Sequence, residues 1–112
     1  MAKTETEISE LRFALDRAEE IVAEINRYRC EQYGEFAGKV WSFRYIDVKS
    51  DDDLEQFTEW QREYYGIRKG CEYLLIYDIA NATPSLLYVI NVSANSVLCC
   101  MHALFRLLMD KF

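Results

Sequence analysis

Proline occurs once in this sequence, at Pro84, and glycine four times, at positions 34, 38, 66 and 70. Both residues punctuate a chain, so their scarcity excludes a Pro/Gly-rich linker and confines the sharpest breaks to a few known places. No repeat or low-complexity tract occurs, and a length of 112 residues suits one domain, spanning 1–112. The four cysteines, at 30, 71, 99 and 100, contain no CxxC pair, and His102 is the single histidine. A disulfide framework and a paired zinc motif are therefore not indicated, and free cysteines of this kind behave as small buried hydrophobes in a reducing compartment. The P-loop, GxGxxG, GxSxG and HExxH patterns are also absent.

Long apolar runs and positive charge are scarce as well. The longest apolar stretch, Val97 to Met109, is interrupted by His102 and Arg106 and is too short to cross a bilayer, and Met1-Ala2-Lys3-Thr4-Glu5 does not begin a signal peptide. These features predict a soluble cytoplasmic protein with no membrane partner. Thirteen Lys and Arg against nineteen Asp and Glu leave a net charge of −6. Direct nucleic-acid binding depends on neutralising phosphates, so this balance argues against it and points instead to a basic surface on a partner protein.

What is present is unevenly distributed. Only Glu72, Asp78, Arg106, Asp110 and Lys111 are charged among the residues from Cys71 to Phe112, so the C-terminal part should carry most of the core. Cys71 to Ile79 and Ser85 to Ser93 have the length and the Tyr/Val/Ile/Leu content of buried strands. Joined by Ala80-Asn81-Ala82-Thr83-Pro84, they read as a hairpin. Val97 to Phe112 is a helix apolar on nearly every face, with Leu104, Leu107 and Leu108 assigned to the core.

At the other end, Thr4-Glu5-Thr6-Glu7 fits a capping box that opens a helix from Glu5 to about Tyr33. At about 1.5 Å per residue it would reach roughly 40 Å, longer than so small a domain is wide. Ile8, Leu11, Leu15, Ala18, Val22 and Ile25 recur at alternating intervals of three and four, a near-heptad seam suited to packing against a second copy. A turn between Gly34 and Gly38 leads to a strand from Lys39 to Val48, with Trp41, Phe43 and Tyr45 on one face and Ser42 and Arg44 on the other. Ser50-Asp51-Asp52-Asp53 caps a second helix whose apolar stripe is Leu54, Phe57, Trp60 or Gln61, and Tyr64, ending at Gly66. The expected fold is α+β in the order α-β-α-β-β-α. A small, mostly antiparallel sheet is covered by helices on one face, with a long N-terminal helix, a body over about 39–112, and an apolar C-terminal helix.

Three groups of residues are candidate sites. Asp51, Asp52, Asp53, Glu55 and Glu59 form an acidic patch, but it lacks the glycine and terminal glutamate of a calcium loop and suits a charged helix start. Asn91, Ser93, Cys99 and His102 lie where a pocket would form beside the third strand; Cys99 with His102 could supply two zinc ligands from one helix, with Cys30 or Cys71 as further ligands, but no second paired motif supports a metal site. The seam on the first helix is the candidate interface. No constellation points to catalysis or a cofactor. The first expectation is a non-enzymatic interaction or regulatory module that works as a homodimer and meets a basic partner. A second class is a small acidic inhibitor, of the mobile-element antagonist type, that occupies a basic nucleic-acid-binding site. A third is a small ligand-binding domain or enzyme with a pocket near Asn91 to Cys99.

Overall fold

The computed structural model describes residues 3–34, 40–80 and 82–111. The elements run α1 (Glu5–Tyr33), β1 (Trp41–Val48), α2 (Asp51–Glu55), α3 (Glu59–Tyr65), β2 (Cys71–Asp78), β3 (Ser85–Asn91) and α4 (Val97–Lys111). The turn predicted between Gly34 and Gly38 lies largely outside the described residues, as does Asn81 of the hairpin connection.

α1 begins where its local chemistry dictates. The Thr4 hydroxyl accepts from the Glu7 N–H while the Glu7 carboxylate accepts from the Thr4 N–H, and Gly34 closes the helix in the left-handed conformation with φ of 67°. The three strands form one antiparallel sheet in the order β1-β2-β3, with Trp41 opposite Asp78 and Val48 opposite Cys71. α1 and α4 pack against each other and against one face of this sheet. Their buried residues Leu11, Leu15, Ala18, Val22, Cys100, Leu104 and Leu108 join Trp41, Phe43, Leu74, Ile76 and Val92 in the main core.

The opposite face is not bare. Ile46, Val48, Tyr73 and Leu75 form a second, smaller cluster with Phe57 and Ile67, so the segment carrying α2 and α3 covers part of it. β2 is central in the sheet and buried on both faces, which is why Tyr73 through Ile76 form an unbroken buried run.

Three details depart from simple periodicity. The helix expected from Ser50 to Gly66 is two helices, because Thr58 and Gln61 form a second capping box and restart the turn. In β3, Tyr77 pairs with Leu86 and Ile76 with Tyr88, leaving Leu87 as a bulge. The bulge puts Leu87 on the α1/α4 side and Val89 on the other, although strict alternation would put residues two apart on one face. Finally, β1 is an edge strand, and Glu19 of α1 accepts the Phe43 N–H at 3.0 Å, occupying a group that would otherwise invite strand addition. Among the described residues no helix is long and apolar enough to cross a membrane.

Candidate functional site

Between Asp51 and Tyr65 the chain carries six carboxylates and one arginine, so nearly all of its net charge of −6 arises in these two short helices. Two of these acids are engaged by the chain's own groups. Asp53 accepts the N–H groups of Lys49 and Ser50 at 2.9 and 3.0 Å, and these backbone bonds hold its carboxyl below the usual carboxylate range. Asp51 pairs with Lys69 at 2.9 Å. Asp52, Glu55, Glu59 and Glu63 remain exposed. The predicted acidic patch is therefore gathered on one segment, with two of its members engaged by neighbouring groups.

The same segment displays two large aromatics. Trp60 and Tyr64 are 63% and 69% exposed, and their rings stack at 5.0 Å with an interplanar angle of 12°. Tyr65 meets Tyr64 edge-on at 4.9 Å and anchors the helix, its hydroxyl lying 3.0 Å from the carbonyl oxygens of both Leu86 and Leu87 at the β3 bulge. Sequence periodicity placed Trp60 or Gln61, together with Tyr64, on the apolar stripe. The restart at Thr58 rotates the second helix, so Phe57, Tyr65 and Ile67 meet the sheet and the two rings turn outwards. The Thr58-x-x-Gln61 pattern is the local signal for that rotation.

The predicted interface seam is turned inwards. Leu11, Leu15, Ala18 and Val22 are buried in the main core, with Ile8 and Ile25 half-buried at its edges. A partner cannot reach these side chains while the domain keeps its core, which corrects the assignment of this stripe to a second copy. The sheet and α4 are the cover that the seam required.

The predicted pocket residues are not brought together. The Asn91 side-chain oxygen accepts from the Ala94 N–H at 3.0 Å and its carbonyl from the Asn95 amide at 2.7 Å, so it shapes the turn into α4. Ser93 accepts the Glu72 N–H at 2.9 Å. Cys99 is exposed on the first turn of α4, and His102 borders a shallow depression with Phe105, Arg106, Met109 and Asp110. Cys30 is exposed on the last turns of α1 and Cys71 half-buried at the start of β2. Among the described residues no group of three or more His, Cys, Asp or Glu is arranged to hold a metal ion.

A buried carboxylate that sequence reading did not single out lies under the start of α1. Glu72 accepts the Tyr45 hydroxyl at 2.5 Å and the Lys3 backbone N–H at 3.5 Å, while the Lys3 ammonium donates to the Asn95 carbonyl at 2.7 Å. Together these bonds tie the chain ahead of α1 to β2 and to the turn before α4. Burial, reinforced by the Glu72 hydrogen bond, raises the Tyr45 phenol pKa well above its ordinary value. Burial likewise raises Tyr65, Tyr73 and Tyr77.

These shifts predict alkaline sensitivity. The folded chain holds each phenol proton more tightly than the unfolded chain, so the stability involved is complete below the ordinary value of 10.0 and is lost as pH rises towards the folded value. Urea midpoints measured at about pH 9 and about pH 11 should therefore differ clearly. Equal midpoints would show that these phenols titrate as they do in the unfolded chain.

Compared with known protein families, curated proteins and solved structures, the chain matches none of them.

Proposed function

We propose that the protein is a non-enzymatic interaction module of the cytoplasm that docks a basic segment of a partner protein across α2 and α3. The observation that carries this reading is the coincidence, on one short segment, of the chain's net negative charge with the exposed Trp60–Tyr64 stack. A guanidinium laid over an indole face gains cation–π attraction, and carboxylates one helical row away, here Glu59 and Glu63, would accept its N–H groups. Trp, Tyr and Arg are also the residues that dominate binding energy at protein interfaces. Exposed thiols at Cys30 and Cys99 suit a reducing compartment.

The same charge would serve an antagonist of a basic nucleic-acid-binding site, but Lys49, Arg68 and Lys69 border the acids and break up a long field of one sign. A peptide-sized basic segment matches the available surface better.

Fluorescence titration with an arginine-rich dodecapeptide, and with a lysine version of equal charge, tests the reading. The arginine peptide should bind more tightly, because a planar guanidinium stacks on an indole and an ammonium does not. Trp60→Ala should abolish that preference, and Glu59→Gln with Glu63→Gln should weaken both peptides by at least about tenfold. Equal binding of both peptides to the parent protein and to Trp60→Ala would reduce the surface to unspecific charge and overturn the proposal.

A further inference from the structure

α4 has two apolar stripes, and the core uses one. Cys100, Leu104 and Leu108, four residues apart, face α1 and the sheet. On another side Leu98, His102, Phe105 and Met109 follow one another at intervals of four, three and four, the spacing of a coiled-coil seam. Leu98 and Met109 are 77% and 82% exposed, and Phe105 is half-buried. Water therefore covers both ends of an apolar stripe on a helix whose inward side is already occupied.

The stripe itself indicates what covers it. A partner of one charge sign would be selected by a rim of the other, yet the rim here holds Arg106 and Asp110 together. The spacing of the stripe is symmetric: about a midpoint between residues 103 and 104, Leu98 takes the position of Met109 and His102 that of Phe105. Two copies related by a two-fold axis and running antiparallel would then form layers of Leu98 on Met109 and His102 on Phe105, each made twice. The arrangement also resolves an electrostatic mismatch. Asp110 lies at the negative end of its own helix, and the antiparallel pairing carries it to the first turn of the second copy's α4, the positive end of that helix dipole.

We infer that the protein self-associates as a two-fold dimer through antiparallel pairing of α4 along Leu98, His102, Phe105 and Met109. This pairing is independent of the α2–α3 surface and leaves the α1 seam in the core of each subunit.

Light scattering and sedimentation across a concentration series, followed by a charge-swap mixture, provide the test. The parent protein should approach twice its chain mass of 13.2 kDa. Leu98→Glu and Met109→Lys should each raise the dimer Kd by at least about tenfold while leaving the circular dichroism spectrum, and the unfolding midpoint measured at concentrations below the parent's dimer Kd, unchanged, because both positions are exposed in the single subunit. Mixing the two variants should restore a heterodimer, since glutamate at 98 of one copy then faces lysine at 109 of the other. A parent protein that stays at its chain mass at the highest concentration overturns the inference. So does a dimer that either substitution leaves intact, or a pair of dissociated variants that remain monomeric when mixed.

Discussion

Leu15→Glu is expected to unfold the protein. Leu15 is 5% exposed, in the middle of the α1 face that meets the sheet and α4. A carboxylate at that position must either lose its hydration without a partner or force α1 off the sheet. An uncompensated buried charge costs several kcal/mol, against a total stability of about 5–15 kcal/mol for a domain of ordinary size. Had the seam been an interface, the same substitution would give folded monomers, so circular dichroism and light scattering on one variant separate the two roles. A folded Leu15→Glu protein with the parent midpoint would mean that α1 is not packed as the structure has it. Leu98→Glu is the matching case on an exposed apolar position, where the fold should survive.

Leu104→Ala should lower the stability by about 2–5 kcal/mol, because it deletes a fully enclosed side chain from the middle of α4 and leaves a cavity between helices and sheet. Cys100 and Leu108, one turn away on either side in the same helix, are packed against α1 and the sheet in the main core, so α4 cannot collapse into the space without moving α1. The same truncation at Met109, which is exposed in the single subunit, should change stability by less than about 0.5 kcal/mol when both proteins are measured at a concentration below the dimer Kd. Urea denaturation of the two variants beside the parent gives a contrast that depends only on which side of α4 faces the core. Equal midpoints for Leu104→Ala and the parent would place the helix at the periphery.

The two expectations show how far local sequence carries and where it stops. The limits of α1 at Glu5 and Tyr33 follow from the Thr4–Glu7 box and Gly34, all within a few residues of the ends they define. The faces of β1 follow from strict alternation, with Trp41 and Phe43 in the main core and Tyr45 packed against it. Leu104 and Leu108 were legible as core from the apolar density of α4, although Leu107 is only half-buried. In the candidate site, the acids at 51–59 were visible as charge, whereas the display of Trp60 and Tyr64 was not, because it depends on a helix break that turns one stripe away from the sheet. The Glu72–Tyr45 bond was invisible for a related reason: its partners are 27 residues apart and meet only through the register of β1 on β2.

By itself, then, the sequence determined the elements, their order and their apolar stripes, since caps, alternation and helical spacing act over a few residues. Only the tertiary structure decided what each stripe meets. The seam on α1 and the second stripe on α4 share the same alternating spacing of three and four residues. One is closed by the chain's own sheet and the other lies open, because cover is a property of distant surfaces and leaves no mark in local spacing.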